Sequence, residues 1–363
     1  MAGLEDYKKK EFVKVLGDKL KAIKLREPVK IMEVCGTHTM AIARYGLRGV
    51  LPEGAELISG PGCPVCVTPS TIIDAAQKLA SLTGVVITTF GDLMRVPGSS
   101  RTLEQMKARG SEVRVLYSVF DILQMAKNEP DKNFVFVSVG FETTTPGIAL
   151  TVLEAERCGL KNISILAANR LVIPALHALC RSGETKIDGF LCPGHVSVII
   201  GSDAYLPVAE EHHVPCVVAG FEPVDILLAV YELILRISRG EDGVMNAYGR
   251  AVTKGGNRRA IDAMYSVFKP VDAEWRGLGV IPLSGLGLRE EFLHLDALVH
   301  FGIEPEPVPD PPGCRCGDVL KGLISPPECK FYGNRCTPLS PVGPCMVSSE
   351  GSCAAYYKYV GKG

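Results

Sequence analysis

Cysteine is the residue best placed to do chemistry in this chain. In "SGPGCPVC" (59–66) Cys63 and Cys66 flank Pro64-Val65 behind a Gly-Pro-Gly turn. A zinc ribbon would offer a second Cys-x-x-Cys pair at matching spacing, and the chain has none. Two intervening residues is a spacing that can close a disulfide, and a helix starting near Thr68-Pro69 would favour a thiolate over a thiol. A pair cycling between dithiol and disulfide is the preferred reading, with a permanent metal site as the alternative. Just upstream, "CGTHT" (35–39) puts Cys35 and His38 in one turn. Three thiols and an imidazole converging there would suit iron, zinc or copper; a structural turn around a buried cysteine is the plainer alternative.

The tail carries a second set. Cys329, Cys336, Cys345 and Cys353 follow one another as Cys-x6-Cys-x8-Cys-x7-Cys in a Pro- and Gly-rich stretch. Four thiolates suit an iron–sulfur cluster or a tetrahedral zinc. The gaps are long for zinc, whereas a cube-shaped cluster accepts irregular spacing because each thiolate binds a different iron. Unliganded thiols are the third reading, and the spacing leaves the role of Cys314 and Cys316 open. Cys158, Cys180, Cys192 and Cys216 sit in apolar or helical contexts and read as small buried hydrophobes. Two further motifs present polar groups: "GFETTTPG" (140–147) with Glu142, and "PGHVSVIIG" (193–201) with His195. Glu142 is a candidate proton carrier or merely a loop-orienting carboxylate; His195 is a candidate base, ligand or turn hydrogen-bonder.

The elements that must position these groups follow one theme from residue 29 to about 220. Short apolar, largely β-branched runs ("VKIMEV", "AELIS", "GVVITTF", "EVRVLY", "NFVFVSVG", "NISILAA", "IDGFLC", "VPCVVAG") alternate with helical stretches. Several runs lack the alternation of a half-exposed sheet, which predicts buried parallel strands with crossover helices. The motifs lie just after these runs, at the carboxyl ends where open α/β sheets bind ligands. The fold class expected is α/β, with two Rossmann-like units whose parallel sheets face a cleft. "MAKNEPDKN" (125–133) reads as the boundary, giving units over 29–127 and 128–240, and "GFEP" (220–223) echoes "GFET" (140–143) as a weak internal repeat. Beyond 240 the chain reads as helices, then a Pro-rich connector at 303–313.

Bulk properties limit the functions available. The chain has 363 residues, 13 of them cysteine, a formal net charge of −1 and 22% charged residues. That balance gives no sign of nucleic acid or an acidic membrane as partner. The N-terminal stretch lacks an apolar signal core and reads as a basic amphipathic helix through Phe12, Val13, Leu16 and Leu20. "VDILLAVYELILRI" is broken by Asp225, Glu232 and Arg236 and is too short to span a bilayer. A cytoplasmic protein is expected, and abundant cysteine there points to metal or redox chemistry instead of a disulfide framework.

Taken together, "MEVCGTHTMAI", "GPGCPVCVTP", "GFETTTPG", "PGHVSVIIG" and "CMVSSEGSCAAYYKY" resemble the HypD family of hydrogenase maturation proteins, from about residue 30 to the C-terminus. The resemblance implies a third, mainly helical or irregular iron–sulfur domain built from both chain ends (1–28 and 241–363). It also implies a [4Fe-4S] cluster on Cys329, Cys336, Cys345 and Cys353, Cys35 as ligand of a further iron, and Cys63/Cys66 as redox-active thiols. The implied role is a scaffold, not a conventional turnover enzyme. With a small HypC-like chaperone it would assemble the Fe(CN)₂CO unit of [NiFe]-hydrogenase, with HypE delivering cyanide transiently. Some relatives carry His where this chain has Met40, so an imidazole ligand at that position does not apply here; His38 remains available. A stand-alone thiol–disulfide oxidoreductase is the competing expectation.

Overall fold

In the computed structural model, which describes residues 4–361, all eight apolar runs are strands. They are β1 (Val29–Glu33), β2 (Ala55–Ser59), β3 (Val85–Thr89), β4 (Glu112–Val115), β5 (Asn133–Gly140), β6 (Ile163–Asn169), β7 (Gly189–Pro193) and β8 (Cys216–Ala219). A short β9 (Val244–Asn246) and the strands β10 (Phe268–Trp275) and β11 (Gly279–Leu288) follow. One sheet has the order β2-β1-β7-β8-β9 and the other β4-β3-β5-β6, and every pairing in both is parallel. β3 and β7 are buried at every position, as expected for strands covered on both faces.

The expected division near residue 128 is not where the sheets divide. β3 pairs with both β4 and β5, so strands on either side of that point share a sheet. β1 and β2 instead join β7, β8 and β9, so the chain opens the first sheet, completes the second, then returns. "MAKNEPDKN" is an ordinary helix-to-strand turn, tied down by the Asn162 side chain donating to the carbonyls of Ala126 and Lys132, each at 3.0 Å. The GFET/GFEP echo is corrected as well. Each sheet reverses its winding once, between β1 and β7 in the first and between β3 and β5 in the second. By position the counterpart of β5 is therefore β7, not β8.

One continuous apolar core lies between the sheets, from Met32 and Ile58 on the first to Ile87, Val135 and Val137 on the second. The outer face of the first sheet is covered by the helix Pro223–Arg239 and, through Leu16 and Leu20, by the N-terminal helix Leu4–Lys21. Phe12 is 61% exposed, so the packed stripe is narrower than the sequence pattern. The stretch after 241 is not mainly helical. β10 and β11 form an antiparallel hairpin that, with the helix Arg258–Val267, covers the outer face of the second sheet. The irregular part begins only at the Pro-rich connector. Among the described residues no helix is long and apolar enough to cross a membrane.

Candidate functional site

The two winding reversals face one another, and a cleft of about 410 Å³ lies between them. The first sheet contributes Cys35, Thr37, Gly62, Pro64 and His195 to its wall; the second contributes Phe141, Thr143 and Thr144. The motif loops are held together by close backbone approach. Gly36 N–H donates to the Gly62 carbonyl at 3.0 Å, and a Cβ on Gly62 would fall 2.1 Å from the Cys35 nitrogen. Only glycine fits there.

Cys35 is the N-cap of the helix Gly36–Arg44, in extended conformation. Burial pushes its thiol up to about 12, with the nearby His38 and Thr37 backbone opposing the shift and the Glu350 carboxylate adding to it. A thiol so placed is protonated until a cation displaces the proton. Below it Glu33, fully buried, accepts from Thr39 Oγ1 at 2.6 Å and Ser59 Oγ at 3.0 Å. Burial pushes Glu33 up to about 7, against the opposing pull of Arg48.

Cys63 and Cys66 are joined as a disulfide with Cα atoms 5.2 Å apart. Cys63 caps a short helical turn, Pro64–Val67, that precedes the expected helix, which runs Ser70–Ala80. Both sulfur-bearing residues are buried, at 3% and 0% exposure. The turn packs against a second turn, Pro344–Met346, that carries Cys345. Arg276, with a fully buried side chain, fixes this region. Its Nε donates to the Thr68 carbonyl at 3.0 Å, and its guanidinium reaches Ser70 Oγ at 2.9 Å and Asp310 at 2.6 Å.

The other sequence candidates separate. His195 lines the cleft and stacks on Phe221 with ring centroids 3.9 Å apart; partial burial lowers its basicity. His38 is buried, and its Nε2 donates to the Gly220 carbonyl at 2.9 Å, which pins it to the end of β8. Its Nδ1 has no partner, and burial takes the ring down to about 4, so it is neutral. Glu142 is not in the cleft wall. Its Oε1 accepts from Val172 N–H at 3.0 Å, at the start of the helix Val172–Ser182, and burial pushes it up to about 7. Its position is that of the loop-orienting carboxylate.

Glu350 was missed by sequence reasoning. It lies between Cys345 and Cys353, yet it reaches the cleft, where it accepts from Thr37 Oγ1 at 2.6 Å. A neighbouring cavity of about 320 Å³, lined by Asp92, Thr143, Ser348 and Glu350, continues the cleft on the second sheet's side, and Ser348 Oγ donates to Asp92 at 2.9 Å. The signal was the "SSEGS" turn, whose glycine permits a tight approach: a Cβ on Gly351 would meet the Cys345 carbonyl at 2.2 Å.

Behind the cleft, Cys314, Cys316, Cys329, Cys336 and Cys353 line one small cavity, and the Cys316 thiol contacts those of Cys314, Cys345 and Cys353. All four sequence-predicted thiols are present, and Cys314 and Cys316, whose role the spacing left open, join them. The contact with Cys316 draws the Cys314 thiol down to about 7, and Cys316 moves up. Among the described residues the trio of metal-ligating atoms close enough to share one ion lies elsewhere, at His177, Glu211 and His212. Thiols spread around a cavity suit a polynuclear cluster better than a single zinc.

The sequence matches known proteins along nearly its whole length. The family model HypD, described as "Hydrogenase formation hypA family", covers residues 11–360. The chain is 46% identical over 333 residues to the hydrogenase maturation factor HypD of Escherichia coli, covering 92% of this chain and 89% of that one. It is 45% identical over 337 residues to HypD of Azotobacter vinelandii, covering 91% and 89%. A putative hydrogenase expression/formation protein of Methanocaldococcus jannaschii is 44% identical over 333 residues, covering 92% of each chain. With a family match over nearly its whole length and relatives 44–46% identical, the chain belongs to the HypD family of hydrogenase maturation factors.

Proposed function

We propose that this maturation factor is the scaffold on which one iron atom, its cargo, acquires cyanide and carbonyl ligands, in company with a small HypC-like chaperone and, transiently, HypE. The observation that carries the reading is that Cys35 and Glu350 line one cleft, while the buried Cys63–Cys66 pair follows the wall residue Gly62 and its turn packs on the tail turn that carries Cys345. Cys35 supplies the soft ligand that low-spin iron requires. Release of cyanide from a thiocyanate takes two electrons and a proton and leaves a thiol. Oxidation of the Cys63/Cys66 dithiol to the disulfide supplies those two electrons and releases two protons. Cys329, Cys336, Cys345 and Cys353 would hold a [4Fe-4S] cluster, and the five thiols lining one cavity, with Cys345 in contact through Cys316, fit that group. Bound there, it supplies one-electron transfer, and the packing of Pro344–Met346 on Pro64–Val67 gives the disulfide a short path to it.

The competing reading, a stand-alone thiol–disulfide oxidoreductase, leaves the Cys35 thiol and the cleft that it lines with Glu350 without a role. The test is anoxic purification with the chaperone, iron counting and infrared spectroscopy. Cys35→Ala is expected to keep the cluster iron and lose every metal-bound cyanide and carbonyl band. Cys63→Ser or Cys66→Ser is expected to keep iron at Cys35 but stop cyanide loading. Undiminished bands in Cys35→Ala would place the anchor elsewhere, and normal loading without the pair would make the pair structural.

A further inference from the structure

Outside the cleft lining, two helices bring a second set of ligating side chains together. His177 lies on Val172–Ser182, which leaves the second sheet after β6; Glu211 and His212 lie on Leu206–His212, which leads into β8 of the first sheet. We propose that His177, Glu211 and His212 bind a divalent ion of the zinc class, clamping these two helices where the chain has passed from one sheet to the other. His177 Nδ1 lies 2.9 Å from His212 Nε2, and Glu211 Oε2 lies 3.4 Å from His177 Nδ1. Glu211 Oε1 is 3.7 Å from His212 Nε2. Ligand atoms about 2.0–2.1 Å from a tetrahedral zinc sit about 3.3–3.4 Å from one another. The two separations at His177 Nδ1 bracket that value, and one ligand atom from each of the three residues lies within 4.8 Å of the others, so an ion fits after a modest side-chain adjustment.

The chemistry of the set decides the class of ion. Two imidazoles and one carboxylate are borderline donors that suit zinc and its neighbours, whereas calcium and magnesium call for oxygen shells. The side chains of His177 and His212 are 16% and 12% exposed, and that of Glu211 is 47% exposed. Two protected nitrogens and one half-exposed carboxylate leave the fourth position to water. Arg181 supplies the outer partner that ligating carboxylates usually have, donating to Glu211 Oε1 from Nε at 3.2 Å and from a terminal nitrogen at 2.8 Å. It leaves Oε2 turned to His177. Without an ion, the facing nitrogens can share only one proton between them; an ion uses both lone pairs.

The test is zinc binding by the full chain, isolated anoxically with its iron, compared with His177→Ala, His212→Ala and Glu211→Gln. Calorimetric titration with Zn²⁺ is expected to show one equivalent fewer in each histidine variant and weakened binding at that equivalent in Glu211→Gln. The zinc-dependent rise in Tm of the parent protein is expected to disappear in the histidine variants. Anomalous scattering at the zinc edge is expected to place a peak between the three side chains. Glu211→Gln changes an exposed carboxylate and keeps the fold, so the question stays answerable if a histidine variant folds poorly. The same stoichiometry and the same Tm response in parent and variants would overturn the assignment.

Discussion

The cleft and the tail both gather cysteines, but different forces hold them. Cys35, Cys63 and Cys66 sit at the ends of parallel strands, where sheet hydrogen bonds and glycine contacts fix the backbone before any ligand arrives. The tail thiols hang on short turns, Pro326–Glu328 and Pro344–Met346, and two modest helices, Cys316–Leu320 and Ser352–Tyr359. There the cysteines are themselves part of the core: Cys316, Cys336, Cys345 and Cys353 are buried among Tyr332, Met346 and Val347. A site on a sheet can be built first and filled later. A site made of turns around thiols depends on what the thiols hold, because so little regular structure is there to order the chain.

The largest expected effect separates the two regions directly. Replacing Cys345 and Cys353 together by Ala should bleach the cluster colour and leave the chain beyond the connector at 303–313 open to protease. Hydrogen exchange in β1, β3, β5 and β7 should stay slow. If those strands lose protection along with the tail, the sheets depend on the cluster and the contrast fails. Retention of a full cluster would move the ligand assignment to Cys314 and Cys316.

A middle-sized effect comes from two glycines. A Cβ on Gly62 meets backbone, 2.1 Å from the Cys35 nitrogen, whereas one on Gly343 meets side chains, 2.6 Å from the sulfurs of Cys314 and Cys316. Backbone cannot step aside, so Gly62→Ala should cost about 3 kcal/mol of unfolding free energy, the upper end of overpacking penalties. Gly343→Ala should cost less in denaturant melts of the iron-free protein, because thiols can rotate, yet lower the iron content. Equal melting costs for the two would show the tail backbone to be as rigid as the sheet.

The same contrast explains what was legible in the sequence. Parallel strands buried on both faces announce themselves as uninterrupted β-branched runs, so all eight were readable, and with them the strand ends that carry Cys35, Gly62, Phe141 and His195. Which strands share a sheet was not readable, because neighbouring runs look alike and the return of β7 beside β1 is decided by packing. The hairpin β10–β11 was missed because prolines, glycines and a register irregularity between Val271 and Ala273 blur its alternation. In the tail, spacing singles out four thiols but not the approach of Cys314 and Cys316 to them, since turns carry no periodicity from which a distance follows. Glu142 was read as a cleft candidate because it follows a strand, but the residue after a strand can turn either way.

The smallest effect tests a contact through which the tail acts on the cleft. Glu350 belongs to the tail, accepts from Thr37 and holds the Cys35 thiol higher than burial alone would. Glu350→Gln keeps an oxygen for the Thr37 hydroxyl and removes the charge. A nearby negative charge disfavours thiolate, so its loss should lower the Cys35 pKa, and the alkaline rise in alkylation should begin at lower pH. Half a pKa unit corresponds to an alkylation rate at fixed pH roughly threefold higher. Peptide-level mass spectrometry after a brief pulse of a small alkylating reagent resolves Cys35 from the other free thiols, and Cys158, outside the lining of both cavities that Glu350 borders, serves as the internal reference. In a protein whose tail has been disordered by replacing Cys345 and Cys353, the substitution should change nothing, because the carboxylate would already have left the cleft. A shift that persists there would mean Glu350 is held by the cleft itself, and that the tail's last turns are ordered by the sheet instead of by their thiols.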